Sequence, residues 1–135
     1  MILIVDDDHD IASLIRIGLE KVGLSASSFS NPLIALEAFK QKPSDYDVVI
    51  SDIRMPAMNG YEFVQQLKKI KPDVSVFLMS SFEFADLPNT LSSSAIQGYL
   101  EKPISIHEIN QTVLEHIKSI SSLKWKSDRS TDKGV

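Results

Sequence analysis

Asp6 and Asp7, Asp52, Ser80 and Lys102 each stand at the end of a short apolar run, respectively Ile2 to Val5, Val48 to Ile50, Val76 to Met79 and Gly98 to Leu100. If those runs are parallel strands, these side chains converge on the rim formed by the strands' carboxyl ends, where open α/β sheets bind ligands. Three carboxylates, one ammonium and one hydroxyl are a donor set for a divalent metal and a phosphoryl group. Carboxylates crowded into one site repel, so at least one should hold its proton more tightly than usual when no cation is present. Mg²⁺ removes that cost, because it takes carboxylate and phosphate oxygens and keeps several waters, and Mn²⁺ should substitute for it. A strand-end carboxylate facing such a metal, here Asp52, can take a phosphoryl group in line and become an acyl phosphate. That anhydride hydrolyses readily and suits a temporary signal.

Each residue also has a local explanation. Among Asp6, Asp7 and Asp8, one aspartate, best placed as Asp8, can cap the first helix, but capping does not account for three. Asp52 lies too far ahead of the next helix to cap it, with Pro56 and Gly60 fixing a tight loop between. Lys102 alone reads as a solvated turn lysine, yet Pro103 after it forces a turn, cis or trans, and fixes where the ammonium points. Ser80 alone is ordinary turn chemistry. His9, His107 and His116 lack metal-ligand spacing and read as solvated or capping residues. Met55 and Met58 read as packing around the loop.

The elements that must position these groups follow from periodicity. The continuous, partly β-branched runs fit strands buried on both faces. Leu24 to Phe29 alternates and supplies another strand. Three helical stripes lie between: Ile11, Leu14, Ile15, Gly18, Leu19 and Val22; Phe63, Val64, Leu67 and Ile70; and Ile106, Ile109, Val113, Ile117 and Ile120. Asn31-Pro32 reads as a cap followed by a favoured first residue, opening a helix to about Gln41. The order β-α repeated five times predicts an α/β fold, a doubly wound parallel sheet of five strands with flanking helices.

With 135 residues and a core pattern that ends near Leu123, the expectation is one domain over residues 1–121 and a frayed polar tail over 122–135, with no output domain and Trp125 folded back on the last helix. Fourteen Lys and Arg against 18 Asp and Glu give a formal charge of −4, and the basic residues form no stripe, which argues against direct nucleic-acid binding. Zero cysteines exclude disulfides and thiolate chemistry. The first apolar run is too short for a signal peptide or a membrane span, so a cytoplasmic protein without membrane insertion is expected.

Together the residues resemble the receiver domain of two-component response regulators over about residues 1–121. The acidic pair in Ile4-Val5-Asp6-Asp7, the segment from Asp52 through Arg54-Met55-Pro56 to Gly60, Ser80-Ser81 and Lys102-Pro103 all match, and the 28- and 22-residue intervals between Asp52, Ser80 and Lys102 fit. The resemblance implies a flavodoxin-like (βα)5 fold with strand order 2-1-3-4-5. It implies that Asp52 accepts phosphate from a sensor histidine kinase or a phosphotransfer protein, that Asp7 and Asp52 ligate Mg²⁺ directly, that Asp6 acts partly through water, and that the backbone carbonyl of Arg54 completes the protein ligands. Ser80 becomes the switch hydroxyl, Tyr99 the switch aromatic and Lys102 the phosphate-binding cation. Output is then a protein contact made by a monomer or weak dimer, through the face from Glu83 to about Ile120.

Two departures stand out. Glu83 to Gln97, where the family has a helix, contains Pro88 and three consecutive serines, which disfavour helix. Phe82 stands two residues past Ser80 and, with Arg54 opposite, is placed to shield an acyl phosphate from water. A haloacid dehalogenase-type phosphatase would want a second acid where Arg54 stands. A nucleotide or flavin protein would want a loop after the first strand that receives phosphate, which Asp6, Asp7 and Asp8 would repel.

Overall fold

The structure, a computed structural model, describes the backbone of residues 1–80 and 95–131 and the side chains through residue 120. In chain order the elements are β1 (Ile2–Val5), α1 (His9–Lys21), β2 (Ala26–Phe29), α2 (Pro32–Gln41), a single 3-10 turn at Pro43–Asp45, β3 (Val48–Asp52), α3 (Gly60–Ile70), β4 (Ser75–Ser80), β5 (Gly98–Glu101) and α4 (Ile106–Thr131). The five strands form one parallel sheet in the order β2-β1-β3-β4-β5, as expected.

Alternation along the central strands divides the core in two. Leu3, Val5, Val49, Val76 and Leu78 pack under α2 and α3, against Ala35, Leu36, Phe39, Phe63, Val64 and Leu67. Their neighbours Ile2, Ile4, Val48, Ile50, Phe77 and Met79 pack under α1 and α4, against Ala12, Ile15, Leu19, Ile109 and Val113. Helices on both faces bury β1, β3 and β4 completely, which is why these runs carry no polar alternation. α1 and α4 cross closely at Gly18. A Cβ there would come within 2.5 Å of Ile106 Cγ2, so glycine permits the approach.

The caps behave as the sequence predicts. Asp8 accepts hydrogen bonds from the Asp10 and Ile11 amides, and Asn31 accepts one from Leu33 ahead of Pro32. Some stripe residues do not. Leu14 of α1 and Ile70 of α3 are exposed, because the buried arc of each helix is narrower than its apolar stripe, and so is Val22, which lies just past the end of α1. β2 starts at Ala26 rather than Leu24 and is half-buried throughout, as befits a sheet edge. The stretch after Leu123, expected to fray, is helical through Thr131, and residues 121–131 contain neither Gly nor Pro to stop a helix. Phe82, Pro88 and the three serines lie outside the described residues, as does the side chain of Trp125. No described helix is long and apolar enough to cross a membrane.

Candidate functional site

Three strand ends bring the charged groups together. β1 ends in Asp6, which is fully buried and whose Oδ1 accepts the Asp8 amide at 2.9 Å. That bond turns the chain from the strand into the Asp8 cap and leaves Asp7 exposed at the rim. β3, paired with β1 in register, ends in the buried Asp52. Asp6, Asp7 and Asp52 each offer a carboxylate oxygen within 4.8 Å of the others.

Lys102 arrives from beyond β5, two strands away from β3. Its amide donates to the Ser80 carbonyl at 3.0 Å, its peptide to Pro103 is cis, and its Nζ lies 3.1 Å from Asp52 Oδ2 and 3.1 Å from Asp6 Oδ2. The contact with Asp52 is a hydrogen bond; the one with Asp6 is an ion pair whose alignment leaves Asp6 Oδ2 buried without a hydrogen bond.

The electrostatics follow from this crowding. Burial, with Asp6 beside it, pushes Asp52 from 3.8 up to about 6, and burial likewise raises Asp6 despite the Asp8 amide and Lys102. Burial alone would lower the Lys102 ammonium, but its contact with Asp6 and the charge of Asp52 more than offset that, so its proton is held more tightly. Two buried carboxylates thus share one ammonium, with the exposed Asp7 adjoining. A buried carboxylate oxygen without a hydrogen bond, in a cluster of three, fits a hard divalent cation.

The loop after β3 is built to hold Asp52. The Ile53 amide bonds the Met79 carbonyl of β4 at 3.1 Å, and the Gly60 amide bonds the Ile53 carbonyl at 2.7 Å. A Cβ on Gly60 would run into the carbonyl oxygen of Asp52 and lie 2.8 Å from Ile53 Cα, so the start of α3 presses on the strand end. Between them the chain passes through Ala57 at φ 71°, a left-handed conformation unusual for a residue with a Cβ. Asn59 and Glu62 close a reciprocal capping box on α3, and Met55 and Met58 pack against the core under it.

Of the other expected site residues, Ser80 is buried at the end of β4, beside the end of β3. Tyr99 is half-buried on β5, opposite Leu78, against the α2 and α3 core. Arg54 is exposed in the loop. His9 and His107 are exposed, but His116 is half-buried and packed: its Nε2 lies 2.7 Å from Ser75 Oγ and its ring meets Phe77 edge-on at 5.4 Å. Its place three residues after Val113, on the flank of the apolar stripe, was the available signal. Sequence reasoning also missed that Lys102 spans both carboxylates, and that the Ser51 hydroxyl bonds the Asp52 carbonyl at 2.9 Å.

A parallel doubly wound sheet with an acidic cluster and a lysine at its carboxyl rim defines an α/β module with its charged site where such sheets bind ligands. The chain belongs to the response regulator receiver domain family, whose model matches residues 2–114. It is 33% identical over 108 residues to the DNA-binding transcriptional regulator NtrC of Escherichia coli K12, covering 80% of this chain and 23% of that protein. It is 31% identical over 114 residues to the transcriptional regulatory protein ZraR of Klebsiella oxytoca, covering 84% and 25%. The chain therefore spans about a quarter of the length of these relatives. A response regulator receiver domain protein from Clostridium thermocellum superposes with a TM-score of 0.80 at 26% identity, over 90% of this chain and 97% of that one.

Proposed function

We propose that Asp52 is the phosphoacceptor of a two-component phosphorelay and that residues 1–121 act as its receiver. The observation that carries the reading is the burial of Asp52 within 4.8 Å of Asp6 and Asp7 oxygens, with Lys102 Nζ at 3.1 Å. A carboxylate oxygen of Asp52 attacks the phosphorus of a phosphohistidine on a sensor kinase or phosphotransfer protein. The new bond is O–P, the broken bond is P–N, and the electron pair leaves with the imidazole nitrogen. Asp6, Asp7, Asp52 and the Arg54 carbonyl would hold Mg²⁺, or Mn²⁺ in its place. When bound, the metal offsets the charge of the carboxylates and the incoming phosphoryl oxygens.

Lys102 then has a phosphoryl oxygen to face, and the Ser80 hydroxyl donates to another. Tyr99, on the neighbouring strand, follows Ser80 as the switch aromatic. Phosphorylation changes a surface that a second protein reads, in a cytoplasmic monomer or weak dimer without direct nucleic-acid contact. The test is incubation with acetyl phosphate and Mg²⁺ followed by intact-mass measurement. One added phosphoryl group is expected in the wild type and none in Asp52→Asn. Stoichiometric labelling of the variant would remove Asp52 from the role.

A further inference from the structure

Ser51 is a hydroxyl placed where the fold asks for a hydrocarbon. It is fully buried in β3, and Val49, two residues earlier on the same side of the strand, belongs to the core under α2 and α3 together with Leu78, its partner on β4. Burying a hydroxyl among such neighbours costs free energy unless it finds a partner. The Ser51 Oγ finds the carbonyl oxygen of the next residue, Asp52, at 2.9 Å.

That carbonyl is the last of β3, where the register with β4 ends at Asp52 and Met79. It is also the atom that a Cβ on Gly60 would run into, so only glycine fits beside it. The Asp52–Ile53 peptide is already held at its other end, where the Ile53 N–H donates to the Met79 carbonyl at 3.1 Å, and the next peptide is held through the Ile53 carbonyl, which accepts from the Gly60 N–H at 2.7 Å. Ser51 adds a hold on the peptide carbonyl of Asp52 itself, from inside the protein. With these three bonds both ends of the peptide that leaves Asp52, and the carbonyl of the next, are fixed, and the carboxylate is aimed at the rim before any ligand arrives.

We propose that Ser51 is a positioning residue for Asp52, acting through the Asp52 carbonyl and touching neither phosphoryl group nor metal. The inference rests on the phosphoacceptor reading of Asp52. Without the hydroxyl, the strand end loosens and the carboxylate spends less of its time in the geometry that in-line attack needs, a kind of loss to which reaction rates are steeply sensitive.

The experiment measures the labelling rate with saturating acetyl phosphate and Mg²⁺ by intact mass, alongside the melting temperature, for the wild type, Ser51→Ala and Ser51→Thr. Ser51→Ala is expected to label about tenfold more slowly, and Ser51→Thr, which keeps the hydroxyl, within about twofold of the wild type. A purely structural serine would lower the melting temperature of the alanine variant and leave its labelling rate untouched, which would overturn the proposal. Equal slowing of both variants would overturn it too, since volume rather than the hydroxyl would then matter. An unlabelled wild type would overturn the reading of Asp52 and this inference with it, whereas a labelled wild type with an equally fast Ser51→Ala overturns Ser51 alone.

Discussion

At the carboxyl ends of the strands Lys102 sits between two buried carboxylates that it cannot neutralise together, while at the amino ends Lys71 sits between two carbonyls and a single, exposed carboxylate that its one charge matches. The Lys71 ammonium donates to the Tyr46 carbonyl at 2.7 Å, to the Pro43 carbonyl at 3.3 Å and to Asp47 at 3.1 Å. Nearby, Lys68 bonds the carbonyls of Pro72 and Val74, and the Met1 ammonium bonds that of Asp45. One end is electrostatically incomplete and the other is closed. A cavity of about 270 Å³ opens at the closed end, between Ile2, Leu24, Val48, Ile117 and Ile120, whereas the proposed phosphoacceptor lies at the other. The end proposed to accept phosphate is thus the one marked by unbalanced buried charge.

The largest expected effect tests that imbalance through pH. Asp52 holds its proton to about 6 in the folded chain and to 3.8 unfolded, so folding is favoured below this window and loses ground as pH rises through it. The loss is on the order of 3 kcal/mol above pH 6 in the metal-free protein. Mg²⁺ should restore it by binding the folded state. His116 shifts the opposite way, its proton weakened by burial, so its stabilisation is lost as pH falls, but it is common to samples with and without metal. The gap in melting temperature between Mg²⁺ and chelator is therefore expected to widen from pH 5 to pH 7.5, and to shrink in Asp52→Asn. A gap independent of pH would mean that the carboxylates are not crowded.

Next in size is the removal of the shared ammonium. Lys102→Met should slow labelling by acetyl phosphate about 100-fold, the usual cost of losing one charge-stabilising donor. It should also tighten apparent Mg²⁺ binding, because the cation no longer competes with Lys102 for Asp6 and Asp52. Weaker Mg²⁺ binding in the variant would show that Lys102 organises the site rather than competing for it. Lys71→Met is the counterpart at the closed end. Loss of its bonds to two carbonyls and Asp47 should cost about 1–2 kcal/mol of stability in chemical denaturation. Its labelling rate should stay within twofold of the wild type, and a larger change would mean that the two ends of the sheet are coupled.

How much of this was readable beforehand depended on sequence distance. β1, β3 and β4 were legible because burial on both faces leaves an uninterrupted apolar run, and because Asp6, Asp52 and Ser80 interrupt those runs where the strands stop. The caps at Asp8 and Asn31 were legible because their bonds span two or three residues. The contact of Lys102 with Asp52 spans 50 residues and that of His116 with Ser75 spans 41, and nothing in local spacing reports either. Leu14 misled because an exposed leucine and a buried one look alike in a helical stripe. Ser51 was overlooked for the converse reason, since a serine inside an apolar strand reads as a minor blemish until its hydroxyl is seen on the Asp52 carbonyl.

The smallest effect separates strain from charge at the functional end. Ala57 holds φ 71° in the loop between Asp52 and α3, just before the Met58 amide bonds the Pro56 carbonyl at 2.8 Å. A Cβ in the left-handed region costs roughly 1–2 kcal/mol that glycine avoids, while glycine gives back a fraction of this through its greater freedom when unfolded. The Ala57 side chain is exposed, so little packing is lost with it. Ala57→Gly should therefore stabilise the protein by about 0.5–1 kcal/mol, a rise of roughly 2–4 °C in melting temperature. Labelling should remain within twofold of the wild type, because Asp52 is held by Ile53, Gly60 and Ser51 rather than by this turn. A lower melting temperature would show that the left-handed turn at Ala57 is not strained. A higher one with markedly slower labelling would show that the strain helps to aim Asp52, and the functional end would then be costly in backbone geometry as well as in charge.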